Sequence, residues 1–251
     1  LIDRAITERP DAVVLVPVHE TEVNAAILRL EAARIPLFTF VTPVTAGRPA
    51  CFVGSDDVAL GAAIARRLLQ RLAAGDRIVI VEGTPASATS RHRMTGFGVA
   101  LAEHPSIDVA ARIVGDYQRE AAWAAWGNLP ATQRAVEGVL AANDVMALGV
   151  VDALAADGRS VPLPLVVGVN AIPEAVDAII AGRMLATVDF DAMGMCALAT
   201  EAALRHLSGD SVPARITLPV SLVDRDNAQD WAQPYAARSL PAWDRVVQVG
   251  S

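Results

Sequence analysis

Between residues 136 and 154 the chain reads VEGVLAANDVMALGVVDAL, an apolar run that meets Asn143 and Asp144 and then passes into apolar positions at Val145, Leu148, Val151 and Leu154. That change of period predicts a buried strand turning directly into a helix, with Asn143 or Asp144 as its cap. Ligands of parallel sheets bind beyond the carboxyl ends of the strands, so Asn143 is expected at a contact position. The same unit recurs along the chain. Strands are expected over 12–16, 36–41, 51–54, 77–81, 109–114, 165–169, 185–188 and 216–223, the last read as one strand. Helices are expected over 20–33, 58–73, 91–103, 119–128 and 193–207, with another starting at Pro173. The tail to Ser251, with Trp231 and Trp243, reads as surface packing.

Four successive strands would end in polar groups: Glu82-Gly83-Thr84, Asp116-Tyr117, Asn143-Asp144 and Asn170, with Asp189 after a fifth. Helix capping accounts for any one of these. Their recurrence on one edge of a parallel sheet points to one shared crevice. Arg91 follows the small-residue loop SATSR at a helix start, where a cation opposes the helix dipole, so its fork of donors is expected to serve hydroxyls or a carboxylate. Arg93 is assigned to the surface on another face. Tyr117 could lay its ring on the apolar face of a sugar or pack on a neighbour. Trp123 and Trp126, three apart on one helical face, are expected in the core.

Composition narrows the chemistry. The 251 residues are 53% hydrophobic, yet no apolar run reaches the roughly 18 to 20 residues of a spanning helix, so a soluble chain is expected. The net charge of −7 argues against a nucleic-acid surface. All 21 basic residues are Arg; without Lys, neither a Walker-type phosphate loop nor a Schiff base can be built from these residues. Cys51 and Cys196 read as core thiols, with a disulfide between them left open, and the four histidines show no metal-ligand spacing. Ser90 and His92, two apart on a helix, diverge rather than forming a triad, and no GxGxxG follows a strand. Binding without catalysis, cofactor or metal is the expectation that remains.

The segments PDAVVLVPV, SDDVALGAAIA, SATSRHRMTGF, AANDVMALGVVDAL, VVGVNAIPEAVDAIIAGRMLATV and PVSLVDRDN run through nearly the whole chain. In this order they resemble the ribose-type periplasmic sugar-binding proteins, the substrate-binding subunits of ABC importers. The resemblance implies an α/β, type I periplasmic-binding-protein fold of two lobes, each a parallel sheet flanked by helices. One lobe would hold 1–55 plus 190–220, the other 56–189 plus 221–251. A sugar or polyol would be held between the lobes and the closed form presented to a membrane permease, by a monomer outside the cytoplasm. Carried over residue by residue, Arg91 would grip ring hydroxyls, Asn143 would hydrogen-bond the sugar and Tyr117 would stack on it. Asn170 stands where the family usually has Asp, and Phe190 where a polar Gln is common. Val41 and Thr42 replace a frequent Asp-Arg pair. The family's first strand, first helix and second strand are expected upstream of Leu1, roughly 40 to 50 residues either absent or supplied by a neighbouring element or chain.

Two other readings share this architecture: the effector-binding core of a LacI-like transcriptional regulator and the sensor domain of a membrane receptor. An α/β enzyme is more distant. An upstream helix-turn-helix, membrane helix or export signal would separate them.

Overall fold

The computed structural model describes residues 1–17, 19–157 and 162–247; Val18 of the PDAVVLVPV segment and residues 248–251 of the tail lie outside this description. The chain opens with α1 (Ile2–Glu8), β1 (Val13–Leu15), α2 (Asn24–Ala32), β2 (Leu37–Phe40) and β3 (Cys51–Ser55). It continues through α3 (Asp57–Leu69), β4 (Arg77–Glu82), α4 (Ala88–Ala102), β5 (Asp108–Val114), α5 (Arg119–Gly127), α6 (Ala131–Arg134), β6 (Gly138–Ala141) and α7 (Asp144–Ala156). Then follow β7 (Leu165–Val167), α8 (Pro173–Ile180), β8 (Ala186–Asp189), α9 (Ala192–Leu207), β9 (Arg215–Leu218), β10 (Ser221–Asp224), α10 (Ala228–Trp231) and α11 (Trp243–Val247). Among the described residues no helix is long and apolar enough to cross a membrane.

The chain divides into two compact units. The first holds Leu1–Asp56, Asp191–Pro219 and the described part of Ser239–Ser251. Its sheet is wholly parallel, in the order β1-β2-β3-β9. Helix α9 packs across β1, β2 and β3, and the ring of Phe38 meets His206 edge-on at 5.6 Å. The division expected from the sequence puts all of 221–251 in the other unit. The tail instead changes unit after Arg238, because Trp243 is buried beneath the Arg205 guanidinium at 4.7 Å and α11 packs on β9. Cys51 and Cys196 both lie in this unit and are unpaired, one buried and one exposed; burial pushes the Cys51 thiol up to about 11.

The second unit, Asp57–Phe190 with Val220–Arg238, carries a sheet in the order β10-β8-β7-β6-β4-β5, parallel except for β10 against β8. Side chains alternate across this sheet. Val79, Val81, Val139 and Ala141 face a core shared with Trp126 and α7, whereas Ile78, Ile80, Leu140 and Val167 face Leu60, Ile64 and Phe97. Both faces are covered, which is why the central strands read as unbroken apolar runs. Trp126 is 1% exposed and Trp123 50%, so only one of the two tryptophans expected in the core is there. Both stand inside α5, but three positions fall short of a full helical turn, so Trp123 is rotated out of the buried stripe that holds Ala122 and Trp126. The single strand expected over 216–223 is in fact β9 and β10, in different sheets, divided at Pro219 and Val220; Pro219 has no N–H to continue a ladder.

Candidate functional site

The polar groups expected at strand ends lie at the carboxyl edge of the second unit's parallel strands. Asn143 is extended (φ −153°) between β6 and α7, and its Oδ1 accepts from the Met146 N–H at 2.9 Å, so it is the cap of α7. Its side chain is buried, and Nδ2 has no partner among the described residues. The cap therefore uses the acceptor of the amide and leaves its donors toward the edge.

Asp144 has a different task. Its N–H donates to Val169 O at 2.8 Å, Oδ1 accepts from the Thr187 hydroxyl at 2.6 Å, and Oδ2 accepts from the Ile172 N–H at 3.0 Å. The backbone and carboxyl of this one residue thereby tie the end of β6 to the segment after β7 and to β8. Complete burial pushes it up to about 7, an effect that the Thr187 and backbone donors and the nearby Arg93 charge offset only in part. Gly168 sits so close that a Cβ there would run into Asp144 Oδ1.

Two kinks shape the edge. Asp116 and Tyr117 both adopt positive φ (51° and 59°), as do Asn170 and Ala171 (125° and 49°), conformations that non-glycine residues take only when the surroundings hold them there. Asn170 bridges Asp189 on β8, its N–H donating to Val188 O at 2.8 Å, and its Oδ1 is buried without a hydrogen-bond partner. The Tyr117 ring fills the space over Gly83, where any Cβ would collide with it. Its N–H points at Met146 Sδ (3.3 Å). The hydroxyl is buried near Ser87 and Ser90 without well-formed geometry to either, and burial raises its pKa.

The two arginines of α4 differ in burial. Arg91 is exposed and its Nη1 donates to Ala86 O at 2.6 Å, closing its own loop. Arg93, assigned above to the surface, is 2% exposed. Its Nε donates to Asp57 Oδ1 at 2.9 Å, its Nη1 to Ala142 O at 2.7 Å, and its guanidinium lies 5.1 Å from the centre of the Phe190 ring. The burial has a local cause. Gly61 of α3 faces the Arg93 backbone, where a Cβ would stand 2.5 Å from its carbonyl oxygen, and Gly96 of α4 faces the Val58 carbonyl equally tightly. Helices that approach this closely trap the Arg93 side chain beside the sheet edge, and Asp57, in the first turn of α3, neutralises it.

Phe190 and the backbone preceding Asn143 thus converge on Arg93, with Tyr117 close enough to feel its charge. The Arg91 guanidinium turns back to its own loop. Asp57, Arg93 and Thr187 were not among the expected site residues. The small residues Gly61, Ala62 and Ala65 on one helix, with Gly96 and Ala100 on the other, were the available signal for close packing. Around this edge, Glu82 pairs with Arg112 (3.1 Å) and the Thr84 hydroxyl donates to Asp116 Oδ1 (2.5 Å). Among the described residues no cluster of three His, Cys, Asp or Glu could hold a metal ion. The edge presents amide donors and acceptors, an aromatic ring and a guanidinium, groups that suit neutral, hydroxyl-rich molecules.

The chain is 27% identical over 221 residues to the ribose import binding protein of Bacillus subtilis, covering 88% of this chain and 71% of that protein. An ABC transporter periplasmic solute-binding protein from Actinobacillus succinogenes, solved with bound D-allose, superposes with a TM-score of 0.85 at 25% identity, covering 91% of this chain and 83% of that one. An ABC transporter solute-binding protein from Mycobacterium smegmatis, solved with bound glycerol, gives 0.82 at 32% identity, with 91% and 79% coverage. The family model described as a periplasmic binding protein domain matches residues 1–211, and the chain belongs to that family.

Proposed function

We propose that this chain is a non-catalytic solute-binding protein that captures a sugar or polyol outside the cytoplasm and, as a monomer, delivers it to an ABC-type permease. The observation that carries this reading is the pair of side-chain amides at adjacent strand ends. The Asn143 donors and the Asn170 acceptor have no partner of their own, and they supply the two complementary roles that a hydroxyl needs. In this reading Tyr117 and Phe190 provide the apolar faces against which a sugar ring packs, and Arg91 swings from Ala86 to grip hydroxyls. The names of the relatives, which include ribose, D-allose and glycerol, support the ligand class.

A thermal-shift screen of pentoses, hexoses and polyols tests it. A ligand at about 100 times its Kd adds about 2.7 kcal/mol of stability. The expected result is a shift selective for one stereochemical group, reduced in Arg91→Ala and Asn143→Asp. Absence of a shift with every sugar and polyol would overturn the reading.

A further inference from the structure

We propose that the opposite edge of the second unit's sheet binds a small amphipathic monoanion, an apolar body carrying one carboxylate. A cavity of about 450 Å³ opens there, at the amino ends of β7 and β8, a strand length away from Asn143 and Asn170. Buried Leu154, Ile179 and Met184 contribute its floor, and Arg71, Arg183 and Arg225 stand on its rim. An adjoining cavity of about 680 Å³ shares Leu154, Leu163 and Leu165 with it, which gives an alkyl chain room to extend. A mostly apolar concavity with a few polar groups at its mouth is the usual form of a small-molecule site.

The charges at the mouth indicate what enters. Arg67 is neutralised by Asp224 at 3.0 Å, but Arg71, Arg183 and Arg225 make no ion pair or side-chain hydrogen bond among the described residues. In a chain of net charge −7, three cations without an ion pair among the described residues line one largely apolar hollow. Arg71 and Arg183 follow the carboxyl ends of α3 and α8, where helix carbonyls attract cations. That attraction does not reach Arg225, which follows β10, nor does it cover the apolar floor. Guanidinium groups bind carboxylates in a two-pronged fashion. Asp226, on the same rim, disfavours a ligand of higher negative charge, hence a monoanion.

Isothermal titration with octanoate, 1-octanol and acetate separates the contributions of head group and chain. The expected result is saturable one-to-one binding of octanoate, at least tenfold tighter than octanol or acetate. It should be lost at least tenfold in the triple variant Arg71→Ser, Arg183→Ser, Arg225→Ser, with an unchanged melting temperature. Equal binding of octanol, no saturable octanoate binding, or full octanoate affinity in the triple variant would each overturn the proposal. The sugar screen is read at the other edge of the sheet, so the two readings fail separately.

Discussion

The Arg93 guanidinium lies 5.1 Å from the centre of the Phe190 ring while its Nε holds Asp57 at 2.9 Å. One buried cation thus fixes an aromatic wall and the first turn of α3 together. Removing it strands the Asp57 charge and the Ala142 carbonyl. Arg93→Ala should therefore lower stability by about 3–5 kcal/mol. Arg91→Ala, on an exposed side chain, should stay within about 0.5 kcal/mol. Urea unfolding of both variants checks the contrast, and equal losses would contradict it.

Asn143 combines a cap with two unused donors. Asn143→Ala should cost about 1 kcal/mol through the lost cap. Asn143→Asp keeps an acceptor for the Met146 N–H and loses the donors, so its stability should stay close to that of the parent while sugar affinity falls. Paired measurements of melting temperature and ligand-induced shift distinguish the two roles.

The approach of α3 to α4 leaves no room for a methyl group at Gly96, which faces the Val58 carbonyl. Gly96→Ala should force the helices apart and cost about 1–3 kcal/mol despite the better helix propensity of Ala. Gly98, two residues along, has open space at its Cβ position. Gly98→Ala should be neutral or stabilising, and chemical denaturation of the pair decides.

Burial raises the Asp144 carboxyl to about 7, against about 3.9 for an unfolded Asp. Between those values the folded chain holds a proton that the unfolded chain has released, so this group makes stability fall as pH rises. Its contribution is complete below about pH 4 and gone above about pH 7. Asp144→Asn, neutral throughout, should have a flatter stability profile than the parent across that interval. A parent whose stability instead rises with pH relative to Asp144→Asn across that interval would refute this assignment.

The strand and helix series was legible because the central parallel strands β4, β6 and β7 are covered on both faces while helices such as α2 and α8 bury one stripe, giving two distinct apolar patterns. Asn143 was legible for a similar reason: the cap stands where one period gives way to the other. Arg93 was not. Charge implies solvent until a neighbour removes it, and that neighbour, Asp57, is 36 residues away in sequence. The β9 and β10 division was also hidden, since 216–223 is apolar enough for one strand and only Pro219 marks the break. Asn170 was identified by position alone; its φ of 125° and its unpartnered Oδ1 depend on tertiary surroundings that no local pattern encodes.

The two thiols differ in a way that has a practical use. Cys51 is buried and held as the neutral thiol, with its pKa raised to about 11, whereas Cys196 lies exposed on α9. A maleimide dye should therefore couple at one position without any engineered cysteine. Because the chain has no lysine, amine-directed side reactions have no side chain to attack. These 251 residues thus accept a single fluorophore, on the exposed thiol of the first unit.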